Sequence, residues 1–460
     1  MGGDQRDSLT KELFRLPPGW RWEWFTDVMD VKGGTQPPAS EFIDHPKEGY
    51  VRLVQIRDFD TDEHKTYIPD SKKWRKCKTD DVLIARYGAA LGRICKGLEG
   101  AYNVALAKVD NKKLHKQFIF YLLKSKYFQG PLLASGARSA QSGFNKQTLS
   151  VITLPIPPLE EQRAIAHILG TLDDKIELNR QMNRTLEAMA QALFKSFFLD
   201  FDPVVVNALR AGNPIPEKFA QRAAHYRGNP DALRLPEETL RQFPDRFQDS
   251  ELGPIPEGWE VGILADLAEL NSDSWNQKTL PDEILYVDLS NTKFGIIESV
   301  KTFNKQDAPS RARRILKPGD TIIGVVRPAN KSYAMIGETP NILTGSTGFA
   351  VLSPKSAVFR EYVYLQATNE ENITRLARLA DGAAYPAVRP NVVADTKCVI
   401  SDEQVLKLFH EATVALYDKF HKNNSESETL STLRDTLLPK LISGELRVTD
   451  AKAIIEDVSK

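Results

Sequence analysis

"LPIPPLEEQRAIAHILGTLDDKIELNRQMNRTLE", Leu154–Glu187, opens on a proline-rich turn and then runs some thirty residues with almost nothing that breaks a helix. Thr171 is a candidate N-cap, with Asp174 three residues on as its capping-box partner. From there Leu172, Ile176, Asn179, Asn183, Leu186, Ala190, Leu193 and Phe197 step by alternating four and three, the spacing of a coiled-coil seam. "LDDKIELN" at Leu172 returns as "LYDKFHKN" at Leu416, 244 positions later. The same steps then give Leu416, Phe420, Asn423, Ser427, Leu430, Arg434, Leu437 and Leu441. Both seams are apolar at the ends and polar in the middle. Asn at a seam position costs stability but fixes register and partner, so the matched Asn179 and Asn423 predict that the two helices pair with each other. An antiparallel pairing gives a pseudo-twofold spacer, and Thr171 to Leu199 would span about 44 Å.

The rest of the chain repeats in the same order. "LPPGWRW" at Leu16 returns as "IPEGWEV" at Ile255, which puts Trp20 on Trp259 at an offset of 239. "CKTDDVLIARYGAALGRI" from Cys77 returns as "LKPGDTIIGVVRPANKSYAMI" from Leu316, with Asp81 on Asp320. "FIFYLLKS" at Phe118 matches "EYVYLQAT" at Glu361, and "SGARSAQSGFN" ending at Asn145 matches "ADGAAYPAVRPN" ending at Asn391. Ordered landmarks at nearly constant offset mean a tandem duplication. Each copy holds short β-type runs such as "VRLVQI" and "ILYVDL" between Gly- and Asp-bearing turns, so each reads as an α/β head followed by a helix. Residues 203–250 carry prolines and turn signals without periodicity and read as a connector, ordered to loose. The division is a first head over 1–157, a central helical region over 158–202, the connector, a second head over 251–400 and a C-terminal helical region over 401–460.

At 460 residues, with 41% apolar and 27% charged, the chain is an ordinary folded protein too long for one core. It has no membrane-length apolar stretch, no secretory apolar region near the N-terminus, and three scattered cysteines, which fit a reducing cytoplasm. Net charge is zero, yet residues 1–157 hold 25 Lys and Arg against 18 Asp and Glu, and residues 251–400 hold 16 against 18. A basic first part is compatible with a polyanion partner.

A catalytic constellation is hard to find. No phosphate loop or dinucleotide fingerprint is present, and "LPIPPL" and "FLDFDPV" lack the aromatic that completes a base-flipping methyltransferase tetrad. The seven histidines show no metal-ligand spacing. Asp44 with Glu63 and Lys65 loosely matches a metal-dependent nuclease, but "FDTDEHK" reads as a solvated turn. Binding groups are better represented. Lys72, Lys73, Arg75 and Lys76 surround one Trp in "KKWRKCK", and Arg311, Arg313 and Arg314 form a second basic run. Arg86 and Tyr87, and in the other copy Arg327, Asn330 and Lys331, lie in equivalent loops after a duplicated strand. Arg138, Asn145 and Lys146 correspond in place to a loop with Tyr385, Arg389 and Asn391. Asn reads adenine, Arg reads guanine and Lys holds phosphates, so matching loops with different side chains suit two heads reading different short sequences. A two-headed scaffold that recognises something other than DNA is the alternative from another class.

In combination these motifs resemble the specificity subunit of type I restriction-modification systems, over nearly the whole chain. "LPPGWRW" and "IPEGWEV" look like the family's head-opening phrase, and "DDVLIARYGAALGRI" and "PGDTIIGVVRP" like its Gly-Asp-strand-Arg phrase, with Asp80 in place of the usual Gly. "LPIPPLEEQRAIAHIL", "FKSFFLDFDPV" and "LLPKLISGELRV" are similar to its helical regions. "CVISDEQVLKLFHEA" departs from that pattern by losing the Pro-Pro-Leu-x-Glu-Gln opening. The resemblance implies two target-recognition domains separated by an antiparallel two-helix coiled coil, reading double-stranded DNA with a split, asymmetric target and a gap of roughly 6–8 base pairs. It implies two modification (methyltransferase) subunits and up to two restriction (nuclease/translocase) subunits as partners in a prokaryotic cytoplasm. S-adenosylmethionine, ATP and Mg2+ would sit on those partners, and this chain would bind no cofactor and catalyse nothing.

Overall fold

The structure, a computed structural model, describes residues 16–60, 64–136, 143–229, 232–382 and 386–458. It divides into two compact units, residues 1–178 with 426–460, and residues 179–425. Each unit holds one head and a part of each long helix, so the compact units do not follow the linear head–spacer–head order.

The first head is built on two four-stranded sheets. One runs Met29–Gly33, Leu106–Asn111, Leu83–Ala85, Ile94–Cys95, and the other Tyr67–Pro69, Tyr50–Val54, Gly100–Tyr102, Lys76–Cys77. The second head repeats both orders. Its first sheet runs Ala268–Leu270, Phe349–Pro354, Thr321–Gly324, Tyr333–Met335, and its second Lys301–Asn304, Glu283–Val287, Leu343–Ser346, Ala312–Leu316. Even the parallel pair recurs, Tyr50–Val54 with Gly100–Tyr102 and Glu283–Val287 with Leu343–Ser346. The duplication read from short phrases is therefore a duplication of topology.

Why these runs form strands is plain from their burial. Leu83, Ile84 and Ala85 are all buried, as are Thr321, Ile322, Ile323 and Gly324, because both faces of the central strands are covered and alternation is lost. One cover is the helix Lys116–Lys124 in the first head and Arg360–Thr368 in the second, each with a run of buried residues. Beside the sheets, Arg21–Trp24 pairs with Thr153–Ile156, and Glu260–Ile263 with Lys397–Ile400, closing the start of each head on its end. Trp20 and Trp259 precede these strands and are buried.

The long helices are α1 (Leu159–Phe194) and α2 (Glu403–Ser443). They pair antiparallel in both units. In the first, Arg434 Nη1 donates to Asp173 Oδ1 at 2.8 Å while Lys175 meets Glu426 at 3.5 Å. In the second, Asn423 Nδ2 donates to Asn183 Oδ1 at 2.8 Å, and Asn183 Nδ2 donates to Asn424 Oδ1 at 2.7 Å and to the Phe420 carbonyl at 3.2 Å. Asn179 Nδ2 reaches the Asn423 carbonyl at 3.4 Å. Asn179, Asn183 and Asn423 are buried, so each amide must be matched and a slipped register would strand it. Leu172, Ile176, Phe420, Leu437 and Leu441 are buried along the seam, and Leu186, Leu193, Leu416 and Leu430 are half-buried.

Two expectations need correction. Thr171 is not an N-cap: α1 starts twelve residues earlier, at Leu159 after Pro157–Pro158, with Glu160 and Glu161 in its first turn. Thr171 Oγ1 instead donates to the His167 carbonyl at 2.9 Å in mid-helix, and Asp173 and Asp174 are mid-helix too. Gly170 sits where a Cβ would collide with the Gln117 amide of the first head. The connector is not loose. Helix Asp202–Ala211 carries Val204, Val205 and Val206, and helix Ala220–Gly228 carries Ala223 and Tyr226, into the core of the second unit, with Phe219 and Phe243 beside them. Phe201 meets Trp259 edge-on at 5.8 Å. Its prolines mark ends and turns, as Pro203 does at a helix start.

Each head is also tied to the helices by a buried tyrosine at an equivalent place. Tyr121 donates to Asp173 Oδ2 at 2.7 Å, on α1. Tyr364 faces Glu187, also on α1, together with Tyr417. Desolvation raises the Glu187 carboxyl pKa, opposed by hydrogen bonds from Gln191, Tyr417 and Tyr364. A raised acid favours the folded state while protonated, so this contribution is present at acid pH and lost as pH rises through the raised value. Glu187→Gln should therefore flatten the pH dependence of melting and raise Tm at pH 7–8 by about 2–4 °C. Thermal melts of both proteins from pH 4 to 8 test it, and an identical pH slope in the variant refutes the assignment.

Candidate nucleic-acid interface

The two basic runs lie on equivalent edges of equivalent sheets, one in each head. Lys76 is on the edge strand Lys76–Cys77, and Arg313 and Arg314 are on its counterpart Ala312–Leu316. In the first head Lys72, Lys73, Arg75 and Lys76 are exposed. They are set by Trp74, whose Nε1 donates to the Pro69 carbonyl at 2.9 Å, by an ion pair of Lys76 with Asp70 at 2.6 Å, and by Arg75 donating to the Gly33 carbonyl. The hydrogen bond and charge of Lys76 lower the Asp70 carboxyl pKa. The second edge is less open. Arg311 is exposed and lies 3.9 Å from Asp288, but Arg313 and Arg314 are half-buried. Arg313 Nη1 donates to the Ala312 carbonyl at 2.8 Å and Arg314 Nη1 to Ser274 Oγ at 3.1 Å. Desolvation lowers the Arg314 pKa. Two of the three second-head candidates on this edge thus serve their own backbone and loops.

The two loops singled out in each head come together. In the first head Tyr87 forms an isolated antiparallel bridge with Gly143; in the second Val326 does so with Ala387. The residues that precede the equivalent helices are Asn145 and Arg389, so the structure sets Asn145 against Arg389, not against Asn391 as the sequence match has it. On that register the bridge positions are equivalent. Flanking bonds repeat too, Arg86 N to the Ala105 carbonyl at 2.8 Å and Val325 N to the Gly348 carbonyl at 2.9 Å. A Cβ on Gly143 would run into the Tyr87 ring, which explains glycine there. Beside the bridge Arg86 lies over the ring of its chain neighbour Tyr87, 4.9 Å from its centroid, and Tyr87 is exposed. In the second head Arg327 N donates to the Pro386 carbonyl at 2.7 Å and Arg389 is exposed on the facing loop, as are Asn330 and Asn391. Lys331 pairs with Glu370 at 2.9 Å.

Some predicted side chains already have structural work. Asn145 caps the helix Lys146–Ser150, its Oδ1 accepting from Thr148 N at 2.9 Å, a role "FNKQT" could have signalled. Lys146 pairs with Asp30 at 3.1 Å. Arg389 and Asn391 flank the start of the equivalent helix Pro390–Ala394. Arg138 and Tyr385 lie outside the described residues. So does Glu63, and Asp44 is exposed beside His45, 2.9 Å away. Among the described residues no group of three His, Cys, Asp or Glu side chains is placed to hold a metal ion, and no helix is long and apolar enough to cross a membrane.

Two heads of one topology, each with a basic sheet edge and a bridged pair of loops on shared antiparallel helices, define a tandemly duplicated recognition protein. Residues 19–188 match the family model described as the type I restriction modification DNA specificity domain. A Methanocaldococcus jannaschii protein assigned as the type I restriction enzyme MjaX specificity subunit is 35% identical over 467 residues, covering 95% of this chain and 96% of that one. The HindI specificity subunit of Haemophilus influenzae is 25% identical over 361 residues, 72% of this chain and 77% of that one. Among solved structures, the type I system S subunit from M. genitalium superposes with a TM-score of 0.52 at 14% identity, covering 93% of this chain and 98% of that one. The chain belongs to the family of type I restriction enzyme specificity subunits.

Proposed function

We propose that the chain reads a bipartite, asymmetric double-stranded DNA target and directs modification and restriction subunits to it. What supports this reading most is the bridged two-loop platform, made twice in one topology with different side chains: Arg86 and Tyr87 in one head, Arg327 and Arg389 in the other. Two heads that differ read two unlike half-sites. The long helices act as the ruler between them, for a gap of roughly 6–8 base pairs when half-site centres lie about one helical turn apart. Two modification subunits dock on the helical scaffold, and up to two restriction subunits join them. S-adenosylmethionine, ATP and Mg2+ belong to those partners, in a prokaryotic cytoplasm, and this chain performs no catalytic step.

Long-read methylome sequencing tests the reading, in cells carrying the chain with its modification subunit and in cells lacking only the chain. A split motif with a fixed gap is expected only when the chain is present. Identical methylomes would refute DNA reading.

A further inference from the structure

The hairpin that carries the first loop of each platform is in exact sequence register between the heads. Ala85 N donates to the Arg93 carbonyl at 2.9 Å, and Gly324 N to the Ser332 carbonyl at 2.7 Å, so both loops close over the same number of residues. Within that loop two positions adopt left-handed backbone in both heads. In the first they are glycines, Gly88 at φ 68° and Gly92 at φ 84°. In the second they are cations, Arg327 at φ 49° and Lys331 at φ 54°. Glycine takes this conformation at no steric cost, whereas an arginine or lysine is strained there. Folding of the hairpin is thus served by glycine, and the first head shows it. A strained cation where the other copy has glycine asks for a reason outside the hairpin's own folding.

Lys331 is half-buried. Arg327 is exposed, and its backbone is fastened to Pro386 next to the Val326–Ala387 bridge, where the two loops of the platform meet. The residues around it, 251–400, are not basic as a group, with 16 Lys and Arg against 18 Asp and Glu, and Arg313 and Arg314 are half-buried. We propose that Arg327 is a specificity-determining residue of the second head and reads a base edge, guanine by its chemistry, in the second half-site. The proposal rests on the DNA-reading function above.

The test compares Arg327→Gly, Arg327→Asn and the unaltered chain, each assembled with its modification subunit, by methylome motif and by melting temperature. Glycine relieves the backbone and asparagine tolerates it without the cation, so both variants should fold, the glycine variant with an equal or higher Tm. The expected result is a motif whose first half-site is unchanged and whose second half-site loses discrimination at one position by roughly 10- to 100-fold. An unchanged motif overturns the proposal. Uniform loss of methylation across all sequences overturns it too, since that is the mark of a phosphate contact. A fall in Tm for both variants would make Arg327 structural and overturn it likewise. If the unaltered chain yields no split motif, DNA reading itself fails, and the proposal with it.

Discussion

Inserting one heptad into α1 after Leu178 and one into α2 after Ser425 should lengthen the gap in the methylated motif by about three base pairs. Seven residues add about 10.5 Å of helix, and DNA advances 3.4 Å per base pair. The insertion points are the borders of the compact units, so the asparagine ladder and the Asp173–Arg434 pair each stay within their own unit. A whole heptad turns the seam by only about 20°. Methylation at the original gap should fall on the order of 100-fold or more, because one head would then meet non-specific sequence. Motif sequencing of the variant checks this, and an unchanged gap removes the ruler from the account.

Glu361→Ala should be the most destabilising single substitution among the polar groups. Glu361 is fully buried on the head helix Arg360–Thr368. Its Oε1 accepts from Arg360 Nε at 2.8 Å, and its Oε2 lies 2.6 Å from His410 Nδ1 on α2. Removing the carboxylate leaves a half-buried guanidinium and an imidazole without their acceptor, at a cost of about 3–5 kcal/mol. For a unit of this size that is a fall in Tm on the order of 10 °C, read by calorimetry on the intact chain. A loss below about 1 kcal/mol would show that the pair is solvated in the native state. The equivalent residue in the first head is Phe118, also buried, so one position serves by charge in one copy and by packing in the other.

The duplication, the heptad seams and their pairing were legible because they rest on periodicity and on repeated phrases, which survive when side chains change. The cap was misread because Thr171, with Asp174 three residues on, imitates a helix start inside a helix that already runs from Leu159. The connector was misread because its valines and phenylalanines follow no period, being buried against Trp259 and its neighbours from several short elements rather than along one face. Among the candidate contacts, the exposed first basic run was visible as charge. The turning inward of Arg313 and Arg314, and the capping role of Asn145, depend on neighbours distant in sequence. The left-handed residues Arg327 and Lys331 could have been found by noting that they align with glycines.

Residues 426–460 complete the unit that begins the chain, while residues 179–425 form the other unit entire. On the ribosome the first head therefore emerges with Leu172 uncovered on its helix, and waits through the synthesis of some 250 further residues for Leu437 and Leu441. At about 5–20 residues per second that is a delay of roughly 12–50 seconds with an unfinished apolar stripe. The unit born first is the last to be finished, and a ribosome that stalls near Ser425 would release one complete head and one that cannot close its core.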